Sequence, residues 1–190
     1  MSHFEAQLIH HAAPTLRGIK QANLFSLPLE QLPRFREEIA RYQKQLAPYG
    51  IRLLYLYCCK KRIFLMVYRV SAMERTLRLP MVRGYLTSLG YPDLTEEGVS
   101  LLQVLMHLRR RMTAYQEFPH EIGFFLGYPV SDVFAFIREK GQNCKLVGCW
   151  KVYGDENAAL RIFRSYEECR NEMMQQVAAG RSIPSLLETA

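Results

Sequence analysis

The adjacent residues His120 and Glu121 are the strongest candidates for chemistry in this sequence, because they stand just before the apolar run 124–126. A histidine beside a carboxylate at the mouth of a strand or helix could act as a general base or bind a metal. The competing interpretation is a histidine satisfied by the local backbone after Pro119. No second histidine follows four residues later, so the zinc-protease helix motif is absent.

A second candidate site lies near the N-terminus, where His10 and His11 are adjacent. On an extended chain adjacent side chains point in different directions, so we expect at most one of the two to take part. We favour His11 because it lies close to the turn at Thr15. Lys20 is the nearest cation. With Thr15 and Gly18 it could hold a phosphate or carboxylate through a hydroxyl, backbone amides and charge.

The cysteines give only weak candidates for a metal site. Cys144 and Cys149 are separated by four residues, and this spacing is not repeated as in common zinc sites. Cys58 and Cys59 are adjacent at a predicted hairpin turn, which is awkward for one metal ion. Buried free thiols are the default interpretation. No nucleophile elbow, dinucleotide-binding glycine pattern or kinase motif is present, so the cofactor stays unspecified.

The stretch 118–153 predicts a strand, a helix and a second strand. The apolar run 124–126 ends at Gly127 and is typical of a short buried strand. A helix is expected from Pro129, with Asp132 in its first turn, to Gly141. The alternating segment 145–153, which carries Trp150, predicts the second strand. A right-handed crossover between parallel strands fits this order, and an antiparallel return is the alternative.

The remaining segments complete the prediction of a single domain over residues 1–190. Residues 1–32 are expected to be an irregular segment packed on the core, with a short strand near residues 22–27. The patterns predict a helix from Pro33, a hairpin from segments 51–57 and 63–68, and a helix from Ser71 broken at Pro80. Thr95 and Asp155 are expected to cap two later helices, and residues 181–190 to form a short tail. The predicted class is α+β, with a small mixed sheet of about four strands and helices packed on it.

Composition limits the location and the partners. The net charge is +7, which allows nucleic acid, an anionic metabolite or an acidic partner. The basic runs 60–62 and 109–111 are interpreted as a solvated turn and a solvated helix end, so nucleic acid is unlikely as a partner. No apolar stretch approaches the roughly 18 residues of a membrane span, and no signal layout is present. We therefore expect a cytoplasmic protein with reduced thiols and no membrane partner, and the oligomeric state stays open.

Two blocks of residues carry a resemblance to a known family. The first consists of His11, Pro14-Thr15-Leu16, Gly18, Lys20 and Asn23-Leu24-Phe25. The second consists of Phe118-Pro119-His120-Glu121-Ile122-Gly123, Phe125-Leu126-Gly127-Tyr128-Pro129, Asp132-Val133, Phe136-Ile137, Asn143-Cys144-Lys145, Gly148-Cys149-Trp150-Lys151-Val152-Tyr153 and Asp155. With these blocks the chain resembles an uncharacterised bacterial family, domain of unknown function 3793 (DUF3793), over nearly its whole length.

The resemblance implies a bacterial cytoplasmic protein, from a family found largely in anaerobes, and it transfers no activity or site. Relatives carry a cysteine directly after the first histidine of the first block. This chain has Ala12 at that position, which weakens any role for a thiol there.

The leading hypothesis is a pocket that joins the N-terminal segment to the stretch 118–153 and binds a small anionic molecule. Its expected lining is His11, Thr15, Lys20, His120, Glu121, Trp150, Lys151 and Tyr153. His120, Glu121 and His11 are the candidates for acid–base catalysis, and the others for ligand binding. One alternative is a regulatory or protein-interaction module without chemistry. Another is an accessory protein that binds iron, haem or another metal through histidines and thiols.

Overall fold

The computed structural model describes residues 1–58, 61–114 and 119–188, and the chain divides into two compact units. The first unit contains residues 1–70 and the chain from residue 164 onward, and the second contains residues 71–163. Helices and small antiparallel sheets make up the fold, so the predicted α+β class is confirmed. The single domain stays a prediction.

The first unit combines helices with a three-stranded sheet. Its elements are α1 (His3–Leu16), β1 (Ala22–Pro28), a short 3-10 helix (Leu29–Gln31), α2 (Leu32–Leu46), a second 3-10 helix (Ala47–Tyr49), β2 (Ile51–Cys58), β3 (Arg62–Arg69), the later part of α8 (Glu156–Ala178) and a third 3-10 helix (Pro184–Leu186). Ile183 and Leu186 are fully buried, so the C-terminal segment packs into this unit.

The prediction of an irregular segment over residues 1–32 is wrong. Ser2 caps α1 by accepting a hydrogen bond from the Glu5 amide, and the Glu5 carboxylate accepts one from the Ser2 amide in return. This capping box was a readable signal in the sequence. The helix then buries Phe4, Leu8 and Leu16 completely. The short strand expected near residues 22–27 is confirmed as β1.

The predicted hairpin is confirmed, and β1 extends it into an antiparallel sheet with the strand order β1-β3-β2. Both faces are buried: Leu65 and Val67 lie on the face that joins the main core cluster, and Met66 is equally buried on the other face. Burial on both faces explains why the strands do not alternate cleanly between apolar and polar residues. Cys59 and Lys60, in the predicted hairpin turn, lie outside the described residues.

The second unit is mainly helical. Its elements are α3 (Val70–Leu77, starting at the unit boundary), α4 (Pro80–Ser88), α5 (Leu101–Ala114), α6 (Ile122–Phe125), α7 (Val130–Arg138), β4 (Leu146–Val147), β5 (Lys151–Val152) and the first part of α8. The helix break at Pro80 is confirmed. The cap of α5 is Ser100, which exchanges hydrogen bonds with Gln103, so the expected cap at Thr95 is wrong. Thr95 instead donates its amide and hydroxyl to Asp93 within the preceding loop.

The predicted strand at 124–126 is also wrong, because this run forms the short helix α6. Gly127, with a φ of 72°, ends α6 in the left-handed conformation, and the Tyr128 amide donates to the Gly123 carbonyl across the turn. The second predicted strand is reduced to β4 and β5, which pair antiparallel with each other. The predicted parallel crossover is therefore wrong. The described strands form two separate antiparallel sheets instead of the one mixed sheet that was predicted.

The cap predicted for the last helix is confirmed, since the Asp155 carboxylate accepts the Ala158 amide at 2.9 Å. On this helix Met173 and Val177 are buried, whereas Leu160 is 38% exposed. Among the described residues, no helix combines the length and apolar character needed to cross a membrane.

Candidate functional site

A pocket in the second unit is the best-formed candidate site. Its volume is about 240 Å³, and three aromatic side chains dominate its wall. We call it the aromatic pocket, and it is lined by Pro119, His120, Ile122, Gly123, Tyr128, Asp132, Val133, Phe136, Trp150 and Lys151. All of these residues come from the stretch 119–151, so a short piece of chain builds the whole lining.

The close approach of α6 and α7 forms one side of the pocket. A Cβ atom on Gly123 would lie only 2.8 Å from Val133 Cγ2, so this contact requires glycine on α6. The turn at Gly127 then brings Tyr128 back over Gly123. Burial raises the pKa of Tyr128 to about 12, and the nearby Cys149 thiol adds to this effect. The phenol is therefore neutral at physiological pH.

Asp132 fixes the position of Trp150. The carboxylate is 5% exposed, and its Oδ2 accepts a hydrogen bond from the Trp150 indole Nε1 at 2.7 Å. Its Oδ1 accepts the backbone amides of Tyr153 and Gly154 at 3.1 Å and 2.9 Å. One carboxylate in the first turn of α7 thus binds three donors of the β5 segment. These donors occupy both oxygens of the one carboxylate that the described residues contribute to the lining.

Phe163, on α8, also packs against the indole. The Phe163 ring packs edge-on against Trp150, with 4.6 Å between the ring centroids. The same ring covers Gly148, where an added Cβ atom would lie 2.1 Å from Phe163 Cε2. The absence of a side chain at Gly148 therefore allows the close approach of Phe163. Trp150 is therefore held rigidly on two sides.

The polar edge of the aromatic pocket surrounds Phe136. The exposed His120 ring meets Phe136 edge-on at 5.1 Å, and the Lys151 ammonium lies 5.8 Å from the Phe136 centroid. Lys151 also donates a hydrogen bond of 2.7 Å to the Gly141 carbonyl. An ammonium group carries three donors, so two remain for a ligand or water.

Glu121 does not share this edge with His120. It is 3% exposed, and its carboxylate accepts the Arg111 Nε at 2.5 Å and the Tyr91 hydroxyl at 2.9 Å. Burial, with the Glu121 charge beside it, raises the pKa of Tyr91 well above its usual range. Arg111 is therefore half-buried in an ion pair with the buried Glu121 carboxylate, which corrects its interpretation as part of a solvated helix end. The two neighbours predicted as a catalytic pair point into different surroundings.

Tyr153 and the two cysteine candidates lie outside the pocket lining. The Tyr153 amide binds Asp132, and its buried hydroxyl has no hydrogen-bond partner within the described residues. Burial raises the pKa of Tyr153, and nearby Cys144 contributes. Cys144 is half-buried and Cys149 is exposed. In the described parts of the chain, no group of three or more histidine, cysteine or acidic side chains is arranged to hold a metal ion.

The N-terminal candidates belong to the first unit, where local contacts engage them. The Thr15 hydroxyl donates to Asn23 Oδ1 at 2.7 Å, and the Gly18 amide donates to the Thr15 carbonyl at 3.2 Å. Lys20 is 8% exposed, with its ammonium 5.6 Å from the Tyr166 ring centroid. The hydroxyl and the amide expected to hold an anion thus stabilise the end of α1. A pocket shared with the stretch 118–153 stays a prediction.

His11 is the third N-terminal candidate. Its ring stacks on Phe25 at 4.8 Å, and the His10 ring lies edge-on at 4.7 Å because both residues are on α1 instead of an extended chain. Burial lowers the pKa of His11, and the nearby His10, Arg170 and Arg62 lower it further. The imidazole is therefore neutral at physiological pH, and its flat face is covered by an aromatic ring.

Comparison with known proteins agrees with the resemblance seen in the sequence. The model of a family described as "Protein of unknown function (DUF3793)" matches residues 8–187. The chain belongs to this family. No curated protein and no solved structure matches the chain.

Several pocket residues of this DUF3793 protein were not predicted as site residues. Tyr128, Asp132 and Phe136 were recognised only as parts of the family pattern or of a helix, although they shape the pocket. One signal was available: Asp132 and Phe136 are one helical turn apart and therefore share a face of α7.

Proposed function

We propose that the aromatic pocket binds a small molecule that has an apolar body and an anionic group. One observation carries this proposal: the positive Lys151 ammonium lies at the edge of a pocket in which Asp132, the one carboxylate among the described lining residues, is already engaged. Asp132 accepts three N–H donors, and Lys151 makes no ion pair among the described residues. An anionic ligand would supply the missing countercharge.

The shape of the site supports a small molecule over a polymer. Pockets for small molecules are concave, mostly apolar and carry a few well-placed polar groups. The aromatic pocket has this character, with Tyr128, Phe136 and Trp150 as its apolar wall. His120, which contacts the Phe136 ring as Lys151 does, adds an exposed ring N–H or nitrogen acceptor to the lining. The net charge of +7 favours the approach of anions in general.

Binding, not acid–base catalysis by a histidine–carboxylate pair, is the function that this geometry favours. A general base needs its partner within hydrogen-bond reach. Glu121 instead pairs with Arg111 and Tyr91, in buried surroundings away from the His120 ring. The proposed role of His120 is therefore to bind the ligand.

The test compares two acids with their neutral amides: phenylacetate with phenylacetamide, and cyclohexylacetate with cyclohexylacetamide. Binding is measured by calorimetry and by the fluorescence of Trp150, which is the only tryptophan in the chain. We expect at least one acid to bind and to shift Trp150 emission. Its amide should bind about tenfold more weakly, because a charge-assisted hydrogen bond contributes about 1.5–3 kcal/mol and is partly screened at an open edge.

Two lysine variants show whether the charge acts at this pocket. Lys151→Met keeps the apolar stem and removes the ammonium, so it should abolish the preference for the acid. Lys145→Met is the matched control, because Lys145 also donates to a carbonyl, that of Gly154, but does not line the pocket. The proposal fails if neither acid binds, or if both variants behave alike.

Native mass spectrometry of protein purified without oxygen addresses the two alternative functions. A retained small organic molecule would support the proposal. A retained metal or haem would favour the metal-accessory hypothesis instead. A dimer or higher assembly without added mass would favour the interaction module.

A further inference from the structure

We infer that the ligand of the aromatic pocket is an aromatic carboxylate with a single six-membered ring and a short arm. This inference rests on the proposed function and specifies its ligand class. Three properties of the pocket lead to it: its size, the nature of its wall and the number of donors at its edge.

The size of the pocket matches one ring with a few further atoms. A cavity of about 150 Å³ holds one benzene molecule, and each water in the liquid occupies about 30 Å³. The pocket measures about 240 Å³, which leaves about 90 Å³ beyond one ring. That space corresponds to about three waters, or roughly three to four non-hydrogen atoms. A ring with a carboxymethyl arm fits, whereas a fused two-ring system with the same arm does not.

The wall of the pocket favours an aromatic ring over a saturated one. Tyr128 and Trp150 stack with ring planes 28° apart, and Phe136 faces the polar edge. Aromatic pairs gain about 0.5–1.5 kcal/mol beyond the burial of their area, which corresponds to about 2- to 12-fold in affinity. Asp132 and Phe163 already hold the Trp150 ring in place. This surface is therefore ordered before a ligand arrives, and less entropy is lost on binding.

The edge of the pocket fits a carboxylate better than a phosphate. Phosphate sites typically combine an arginine fork or several backbone amides with a cation. Among the described lining residues the cation is a single ammonium, Lys151, and none is an arginine; His120 contacts the same Phe136 ring as Lys151. At the start of α7, the amides of Asp132 and Val133 donate to the Pro129 carbonyl and are not available to a ligand. One singly charged group with two oxygens matches these donors.

The orientation of the ligand follows from where the donors lie. Lys151 and His120 both flank Phe136, so the carboxylate would lie at that edge of the pocket. The ring would then extend toward Trp150 and the apolar contact of Gly123 with Val133.

The experiment compares phenylacetate with cyclohexylacetate, which has the same number of non-hydrogen atoms and a saturated ring, and with phenyl phosphate. Calorimetry gives the affinities for the full chain. The indole N–H signal of Trp150 in a ¹H–¹⁵N spectrum reports on pocket occupancy. We expect phenylacetate to bind 3- to 10-fold more tightly than cyclohexylacetate, to bind more tightly than phenyl phosphate, and to shift the indole signal.

A pair of phenylalanine variants tests whether the aromatic wall provides this preference. Phe136→Leu keeps an apolar side chain and removes the ring, so it should reduce the preference for phenylacetate over cyclohexylacetate. Phe134→Leu is the control on the same helix, because Phe134 packs against Tyr85 and Phe124 and does not line the pocket. Circular dichroism of both variants verifies that they are folded.

The outcomes separate this inference from the proposed function. Equal binding of phenylacetate and cyclohexylacetate, with the preference for acid over amide intact, overturns the aromatic class and leaves the anion pocket standing. If phenyl phosphate binds more tightly than phenylacetate and shifts the indole signal, the carboxylate assignment is overturned and the anion pocket again stands. If no probe binds or shifts the indole signal, the proposed function itself fails.

Discussion

Replacement of Asp132 by Asn should destabilise the second unit although it changes one atom. The wild-type carboxylate has only acceptors, and it faces three N–H donors. The amide of Asn keeps one oxygen, which can still accept the backbone amides of Tyr153 and Gly154. Its NH₂ group would then face the indole N–H of Trp150, so two donors would point at each other.

The magnitude follows from the hydrogen bond that is lost. Trp150 is 7% exposed, so its indole N–H has little access to water once the acceptor is gone. A hydrogen bond to a charged group contributes about 1.5–3 kcal/mol, and a stranded buried donor costs about 1–3 kcal/mol. We therefore expect Asp132→Asn to lower the free energy of unfolding by about 2–3 kcal/mol. Asp132→Ala should lower it by about 3–5 kcal/mol, because it removes all three acceptor contacts.

The assay is urea unfolding at pH 7, followed by far-UV circular dichroism and by Trp150 fluorescence. Asp155→Asn is the matched control, since Asp155 is exposed and Asn caps a helix about as well as Asp. A double-mutant cycle with Trp150→Phe, followed by circular dichroism alone, isolates the contact between the carboxylate and the indole. We expect a coupling energy of about 1–2 kcal/mol, since the neighbouring groups relax partly when either partner is removed.

Two results would refute this reasoning. One is an Asp132→Asn protein as stable as the Asp155→Asn control. The other is a double-mutant cycle with no coupling, which would mean that Asp132 stabilises the unit without holding the indole.

Three further predictions concern other parts of the chain, and the first compares two glycine variants. Gly148→Ala should lower the free energy of unfolding by about 1–3 kcal/mol, because its Cβ atom would overlap Phe163. Gly84→Ala, in a helix with open space around it, should raise that free energy by about 0.5–1 kcal/mol. Glu121→Gln should cost about 2–3 kcal/mol by breaking its ion pair and should leave phenylacetate affinity unchanged. His11→Phe should weaken the loss of stability between pH 7.5 and 5.5, measured by urea unfolding at each pH.

The direction of the His11→Phe effect follows from proton binding by the folded and the unfolded chain. Burial lowers the pKa of His11 in the folded chain below its ordinary value of 6.5. Below that pH the unfolded chain binds the proton more readily, so stability falls as the pH falls. The half-buried His11 ring contributes less than about 1 kcal/mol to the pH dependence of the free energy of unfolding, after solvent screening. A His11→Phe protein with the wild-type pH dependence would contradict this account.

The glycine and Glu121 predictions would each be contradicted by one result. Equal effects of Gly148→Ala and Gly84→Ala would mean that Phe163 does not cover the glycine. A Glu121→Gln protein that is stable but no longer binds phenylacetate would place Glu121 at the ligand, contrary to its contacts with Arg111 and Tyr91.

Short-range signals in the sequence predicted the central hairpin and several helices, though not α1 and α6. The break at Pro80, the cap at Asp155 and the strands β2 and β3 depend on groups a few residues apart, which a sequence displays directly. The same kind of signal was present but unused at Ser2 and Glu5, whose capping box starts α1.

The sequence alone determined the α+β class, the family and the stretch that builds the aromatic pocket. Only the tertiary structure decided which side chains meet there. The apolar run at 124–126 suits a strand or a helix equally by composition, and the contact of Gly123 with Val133, 10 residues later, favours the helical turn. His120 and Glu121 are adjacent, yet packing buries the carboxylate beside Arg111 and leaves the imidazole exposed. Burial and partner choice are properties of the packed chain, since they depend on groups that are distant in sequence.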